Sequence, residues 1–220
     1  MGASFVLKPG REAPLGAFLD SDGCNFALWA PDARSVTLCL FDKADKELAR
    51  IPFTERKGHY WYGFVDGVQA GQAYGWRVGG PHLPEQGFLF DEQKLLVDPY
   101  SRQLSRPVVW DETLYEGDSQ HMMSKSVVID EHFDWQGVSK PGYGDDQTIL
   151  YETHVKGFTQ LHPDVPEPYR GKYLALCQPA VLNYLRELGV TTLQLMPIAS
   201  FMSEPRLVGL GLVNYWGYNP

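Results

Sequence analysis

A succession of strand, helix and strand between residues 148 and 197 constrains this sequence most. Residues 148–155 and 191–197 are mainly apolar, as expected for strands that are covered on both faces. Residues 179–189 between them start with proline and end with glycine, which are helix start and stop signals. One face of this predicted helix carries Val181, Leu182, Leu185 and Leu188. The order predicts two neighbouring parallel strands, a unit that needs further strands or another sheet to cover its faces.

The first part of the sequence has a different pattern, with short apolar runs divided by turn-forming residues. These runs are residues 25–30, 36–41, 60–65 and 73–78. Their number and spacing predict an immunoglobulin-like β-sandwich. Alternating side chains in the first and third runs indicate one packed face and one wetter face.

Between residues 80 and 144 the sequence is interrupted by many glycines and prolines, yet it stays rich in aromatic side chains. Short strands fit only at residues 94–97 and 126–130. A disordered linker would have fewer aromatics, so we expect a packed connector. The predicted organisation is therefore multi-domain, with a sandwich at residues 1–110, a connector at 111–145 and a second domain at 146–220.

Composition excludes several functional classes. The 220 residues carry a formal net charge of -8 and no basic run, which argues against binding to nucleic acid or an anionic membrane. No apolar run is long enough to span a membrane, and the first residues lack the apolar core of a signal peptide. Cys24, Cys39 and Cys177 are odd in number and have no CxxC spacing. We therefore expect a soluble cytoplasmic protein without a disulfide framework, metal site or cofactor.

The last nine residues, LVNYWGYNP, contain the sequence's densest aromatic cluster. Tyr215, Trp216 and Tyr218 alternate there with Gly217 and two asparagines. Aromatic rings stack on the apolar faces of sugars and amides bind their hydroxyls, so the composition suits a sugar-binding loop. An aromatic corner buried under neighbouring loops has the same composition, and the residues alone leave both interpretations open.

Longer motifs extend along the whole sequence. Those of the first half are APLGA (13–17), DGCNFALWAPDA (22–33), VTLCLFD (36–42), GQAYGWRVGGP (71–81) and KLLVDPYSRQL (94–104). Those of the second half are YETHVKGFTQLHPDVPEPYRGKY (151–173), LNYLRELGVTTLQLMPI (182–198) and FMSEPRLVGLGLVNYWGYNP (201–220). In this order they resemble the N-terminal third of bacterial glycogen debranching enzymes of the isoamylase type, in glycoside hydrolase family 13 of the α-amylase superfamily.

The resemblance implies a sandwich of carbohydrate-binding module family 48, followed by the first strand, first helix and second strand of a (β/α)8 barrel. It implies that the full-length protein hydrolyses α-1,6 linkages in glycogen or limit dextrin, with glycogen or a branched α-glucan as its partner. The catalytic carboxylates of the family would follow Pro220, so no catalytic residue is assigned and the chain is expected to be an inactive fragment. The oligomeric state is not predicted.

Other functions stay open. Branching and trehalose-releasing enzymes share the layout, but they have a shorter loop after the second strand than residues 203–219 provide. A non-catalytic carbohydrate-binding or scaffold protein is a further alternative. Binding modules of this type carry tryptophans in loops that here correspond to residues 42–47 and 79–87, where there are none. The sandwich is therefore expected not to bind glycogen, and Trp29, Trp61 and Trp76 to serve packing.

Site residues are implied by the family pattern. Tyr215 matches a tyrosine that stacks on the glucose at the cleavage subsite, Gly217 allows close approach of the loop backbone, and Tyr218 completes the substrate-binding set with a more structural role. Glu152 and His154 share one face of a predicted strand, where they could form an acid-base pair or bind neighbouring backbone. The family pattern favours the second role.

Overall fold

The computed structural model describes residues 5–110 and 112–220. It divides into two compact units, the first ending at Phe133 and the second comprising Asp134–Pro220. No helix in this described part of the chain has the length and apolar character that a membrane span requires.

The first unit is built from two antiparallel sheets. One has the strand order β1-β7-β3-β2 with β6 also paired to β7, and the other has the order β11-β8-β4-β5. The first sheet consists of β1 (Val6–Lys8), β2 (Gly16–Leu19), β3 (Gly23–Trp29), β6 (Glu55–Lys57) and β7 (Tyr60–Asp66). The second consists of β4 (Ser35–Phe41), β5 (Glu47–Pro52), β8 (Ala73–Gly79) and β11 (Ser126–Val127), and a small hairpin joins β9 (His82–Leu83) to β10 (Phe88–Leu89). The four runs predicted as sandwich strands are present as β3, β4, β7 and β8, and the predicted β-sandwich is confirmed. The short strand predicted at residues 94–97 is wrong, because this segment makes only an isolated bridge between Leu96 and Trp76.

Aromatic side chains from both sheets meet in the sandwich core. Phe26 of β3 contacts Tyr74 and Trp76 of β8 edge to face, with ring centroids 5.0 and 6.2 Å apart. Trp61 of β7 is buried in the same core. Trp61 and Trp76 therefore serve packing, as expected, whereas Trp29 at the end of β3 is 53% exposed.

β3 is buried on both of its faces, so the alternation predicted for it is wrong. The outer face is covered by the segment before β2. Asn25 is 2% exposed; its Oδ1 accepts from the backbone N–H of Arg11 at 2.8 Å, and its Nδ2 donates to the Arg11 carbonyl at 3.1 Å. A buried amide with backbone partners takes the place that water would have on a wetter face.

The segment after the hairpin closes the sandwich through Asp98. This carboxylate is 2% exposed and accepts hydrogen bonds from Tyr74 Oη at 3.1 Å, Trp76 Nε1 at 3.0 Å and the Tyr100 N–H at 2.7 Å. Burial raises the pKa of Asp98 despite these donors. The motif at residues 94–104 is thus fixed to the aromatic core by a buried acid.

Part of the predicted connector belongs to this packing. Ser126 of β11 pairs with Tyr74 of β8, within the predicted strand at residues 126–130. Lys125, next to it, is fully buried, and its Nζ lies 2.7 Å from Asp45 Oδ1. Residues of the connector therefore complete the sandwich, while the domain limits at 110 and 145 stay a prediction.

The second unit contains the predicted strand–helix–strand succession. β12 (Leu150–Thr153) and β13 (Thr192–Leu195) pair in parallel, and α3 (Pro179–Glu187) lies between them in sequence. Shorter helices are α1 (Val155–Thr159), α2 (Tyr173–Leu176) and α4 (Pro205–Gly209). None of these three was predicted. The first predicted strand, expected to reach residue 155, ends at Thr153 because His154 is the N-cap of α1, which begins at Val155.

The helix α3 follows its predicted signals. Pro179 occupies its first turn, and Gly189 has φ +75°, the left-handed conformation that ends a helix. Of the predicted apolar face, Val181 and Leu185 are buried with Val165 and Ala175, whereas Leu182 and Leu188 stay 38% and 48% exposed.

Candidate functional site

The loop after β13 returns on itself through polar contacts. The Met202 N–H donates to the Asn219 carbonyl at 2.9 Å, and the Asn219 side chain donates back to the Met202 carbonyl at 3.1 Å. Asn214 closes the inner turn, since its N–H donates to Ser203 Oγ at 3.0 Å and its Oδ1 accepts from the Gly217 N–H at 2.9 Å. These bonds fix the backbone on both sides of Tyr215.

Tyr215 stacks on His154, which follows β12. The two rings are nearly parallel, with centroids 4.3 Å apart and an interplanar angle of 16°. His154 Nε2 lies 2.8 Å from the Tyr215 carbonyl, and its Nδ1 accepts from the Gly157 N–H at 3.0 Å. Only the neutral tautomer with its proton on Nε2 satisfies both bonds, because Nδ1 must supply a lone pair. His154 is thereby the N-cap of α1 as well as a partner of the loop.

Two glycines leave space for the aromatic rings. A Cβ at Gly157 would lie 2.6 Å from Tyr215 Oη, closer than atoms approach. Gly217 is buried with φ +80°, and a Cβ there would lie 3.3 Å from the Phe201 ring. A side chain at Gly157 would therefore require the Tyr215 phenol to shift, and one at Gly217 would be strained by the backbone conformation.

A cavity of about 300 Å³ opens beside Tyr215 at the carboxyl ends of β12 and β13. Its walls come from the β12–α1 junction, the segment before α2 and the loop after β13. The lining residues are His154, Val155, Lys156, Gly171, Lys172, Tyr173, Pro197, Phe201, Tyr215 and Trp216. None of these described lining residues is a carboxylic acid, so this wall is suited to binding through rings and cations rather than to general acid catalysis.

The predicted site residues have different surroundings. Tyr215 is 42% exposed and lines the cavity, Gly217 is buried behind it, and Tyr218 is 69% exposed and is not a lining residue. The roles of Tyr215, Gly217 and Tyr218 in binding a sugar stay predictions. The sequence did not indicate Gly157, because histidine is not among the usual N-cap residues and the helix α1 was not predicted.

Glu152 and His154 have separate partners. Glu152 Oε1 accepts from the side chain of Gln194 on β13 at 3.2 Å, whereas both ring nitrogens of His154 bind backbone groups. The interpretation that these residues bind their surroundings is therefore the one that the structure supports, and His154 has no nitrogen left for proton transfer.

The first unit has an apolar groove of about 410 Å³, larger than the cavity beside Tyr215. Trp29, Leu89 and Leu96 line it and are partly exposed. Its wall is mainly apolar, with Asp91 and Lys94 as its charged lining residues. We take the cavity beside Tyr215 as the candidate site because it lies at the carboxyl ends of two parallel strands, where ligand sites of such sheets are found.

Comparison with known proteins matches both halves of the chain. Residues 14–101 match the family model of carbohydrate-binding module 48, described as the isoamylase N-terminal domain. The glycogen debranching enzyme of Yersinia enterocolitica is 46% identical over 97% of this chain, and that of Pectobacterium carotovorum is 48% identical over the same share. The chain spans only 33% of the length of each. The resemblance to bacterial glycogen debranching enzymes is thus confirmed.

Solved structures show the same fold. The pullulanase of Bacillus acidopullulyticus aligns with a TM-score of 0.66 at 23% identity, covering 86% of this chain and 22% of that protein. The group B Streptococcus pullulanase SAP, solved in complex with maltotetraose, aligns with a TM-score of 0.63 at 26% identity, covering 87% of this chain and 24% of that protein.

Proposed function

From the match of this chain to bacterial glycogen debranching enzymes over 97% of its length, we propose that it is part of an enzyme that hydrolyses α-1,6 branch linkages in glycogen or limit dextrin. That match is the observation that carries the proposal. The long loop after β13, residues 203–219, favours debranching over the branching and trehalose-releasing activities of related enzymes. The chain alone is expected to be inactive, because in this family the catalytic carboxylates follow the segment that it covers.

The second unit supplies the start of a (β/α)8 barrel in this proposal. The parallel pairing of β12 and β13, with α3 between them in sequence, supports that assignment. Active sites of such barrels lie at the carboxyl ends of the strands. The cavity beside Tyr215 lies at those ends of β12 and β13, next to His154 and Pro197.

Tyr215 is the proposed sugar platform. Its ring is 42% exposed on the cavity, and an aromatic face stacks favourably on the apolar face of a pyranose. Gly217 serves by letting the loop backbone approach closely. Tyr218, which is more exposed, has at most a supporting role at the rim.

Replacing Tyr215 tests this assignment in the full-length protein. Stacking on an aromatic ring contributes about 1–3 kcal/mol, so we expect Tyr215→Ala to lower kcat/KM on branched dextrin roughly 5- to 150-fold. Tyr143→Ala, at an exposed tyrosine outside the site, is the matched control and should leave kcat/KM unchanged. A Tyr215→Ala enzyme within twofold of the parent would contradict the role.

The products decide the reaction class. Hydrolysis of α-1,6 linkages releases linear chains and raises the number of reducing ends with time. Branching transfers chains without that increase, and a trehalose-releasing enzyme yields a non-reducing disaccharide. Chromatography of the products together with a reducing-end assay therefore separates the three activities, and no increase in reducing ends would overturn the proposal.

A non-catalytic glycan-binding function has one observation in its favour, the exposed Trp29 in the apolar groove. We propose instead that this groove serves packing. In a glycogen affinity gel, Trp29→Ala should migrate like the parent chain, and retardation that depends on Trp29 would make the sandwich a glycan binder. Cys24, Cys39 and Cys177 are all free thiols, in keeping with the cytoplasmic location that we propose.

A further inference from the structure

We propose that residues 113–123 form a strap over the outer face of the second sheet, which charged groups hold in place. In a minor fraction of molecules the strap opens as a unit while the sandwich core stays folded. The device belongs to the first unit alone, so it does not depend on the proposed activity toward glucans.

The strap covers a layer that is separate from the sandwich core. One face of β4, with Leu38 and Leu40, belongs to that core. The other face of β4 belongs to a smaller apolar cluster, which consists of Cys39, Phe41 and Leu95. Met123 of the strap packs against this smaller cluster. Opening of the strap would therefore uncover the smaller cluster and leave the sandwich core closed.

The strap itself buries few side chains. Among its residues, all of which the structure describes, Ser119 alone is buried. Ser119 Oγ accepts from the Leu95 N–H at 2.9 Å, and the Ser119 N–H donates to the Gln93 carbonyl at 3.2 Å. Segments with few buried apolar contacts have a low local stability and open before the rest of a domain. Apolar burial is thus a minor part of what holds the strap.

An ion pair attaches the middle of the strap to the sheet. The side chain of Arg77 on β8 is 4% exposed, and its Nη2 donates to Asp118 Oδ1 at 2.8 Å and Oδ2 at 2.9 Å. Burial alone would raise the pKa of Asp118, but hydrogen bonds from Arg77 lower it. Charge-assisted bonds of this two-pronged kind are stronger than bonds between neutral groups. The carboxylate of Asp118 is therefore the central attachment of the strap.

Two further cations bind backbone carbonyls of the strap. Lys94 Nζ donates to the carbonyls of Leu114 at 3.1 Å and Gly117 at 2.8 Å. Lys125 Nζ donates to the carbonyl of Met123 at 3.0 Å. Each of these bonds has a charged donor, and all of them break together when the strap lifts from the sheet. We therefore expect opening to be cooperative along the strap.

Hydrogen exchange of backbone amides at rising urea concentration, followed by NMR in the 220-residue chain, tests the proposal. The N–H groups of Ser119 and Met123 are bonded in the closed strap and should exchange when it opens. Because urea dependence scales with the surface exposed, their urea slope should be less than about a third of that of the amides of β3. Equal slopes would show that the strap opens only when the whole sandwich unfolds, and would overturn the proposal.

Asp118→Asn tests the charge that holds the strap. Asparagine keeps the shape and one acceptor oxygen but removes the charge, so Ser119 should exchange about tenfold faster with its shallow urea slope retained. Glu12→Gln, which removes an exposed ion pair with Lys57 on the other sheet, is the matched control and should change that rate less than about twofold. An Asp118→Asn chain that exchanges like this control would show that charge does not hold the strap.

Discussion

Lys125 offers the sharpest test of what holds the sandwich together. Its side chain is 0% exposed, and its ammonium group lies 2.7 Å from Asp45 Oδ1. The ammonium group also donates to the carbonyl of Met123 at 3.0 Å and to the carbonyl of Gln120. It also lies 5.1 Å from the centroid of the Phe41 ring. Burial lowers the pKa of Lys125, and the hydrogen bond from Lys125 to Asp45 opposes that shift.

Lys125→Met removes the cation and keeps an apolar side chain of similar length. Breaking a buried ion pair from one side costs about 3–5 kcal/mol, because the remaining charge loses its partner. Asp45 retains Arg106 at 3.1 Å, and 32% of its side chain is exposed. Water and Arg106 offset part of the loss, so we expect the free energy of unfolding to fall by about 2–3 kcal/mol.

The change is measurable as a shift of the melting temperature. For a chain of this size, 2–3 kcal/mol corresponds to a Tm lower by about 4–12 °C. Lys43→Met, at an exposed lysine in the same unit, is the matched control and should change stability by less than about 0.5 kcal/mol. The double variant with Asp45→Asn should recover part of the loss, since no carboxylate is then left without its partner.

A Lys125→Met chain as stable as the Lys43→Met control would refute this reasoning. Strictly additive effects of Lys125→Met and Asp45→Asn would refute the pairing in particular, because residues that contact each other are expected to couple.

Two further predictions follow from pKa shifts in the same unit. Burial alone would raise the pKa of Asp45, but hydrogen bonds from Lys125 and Arg106 lower it below the ordinary 3.8. The stabilising contribution of Asp45 should therefore be complete above pH 3.8 and disappear as the pH falls through the lowered pKa. We expect the Tm difference between the parent and Asp45→Asn to narrow in acid, and a constant difference would contradict this prediction. Burial raises the pKa of Cys24 to about 12 and that of Cys39 to about 11, whereas Cys177 is exposed. A thiol reagent at pH 8 should therefore label Cys177 alone in the native chain and all three cysteines after unfolding, which mass spectrometry can measure.

Local signals in the sequence predicted the main sandwich strands, the helix α3 and the two parallel strands, but not the short helices α1, α2 and α4. Pro179 and Gly189 mark the helix α3 because proline suits the first turn of a helix and glycine the left-handed residue that follows its end. The sandwich strands were predictable for a similar reason, since apolar runs between turn-formers leave the chain few alternatives. Resemblance to a family then supplied the proposed function, which no spacing of residues in this chain encodes.

Contacts between distant residues set the limit of that prediction. Nothing local marks Lys125 as buried, since its environment depends on Asp45, 80 residues away in the sequence. The same holds for β3, whose second face is covered through Asn25 by the segment around Arg11. Lysine and asparagine are usually exposed, so local rules assign them to the surface.

The candidate site was predicted only in part from local sequence signals. Tyr215 was predicted from its motif, but the partner that orients it, His154, is brought there by the parallel register of β12 and β13, which places both strand ends at one edge. Hydrogen bonds of Asn214 and His154 within the second unit fix the backbone around the ring. In its proposed role as a sugar platform, a ring fixed in advance would lose little conformational freedom on stacking, so more of the stacking energy would remain for binding. Under that proposal, a variant that loses the hydrogen bond between His154 and the Tyr215 carbonyl should bind substrate more weakly even though every residue that touches the sugar is kept.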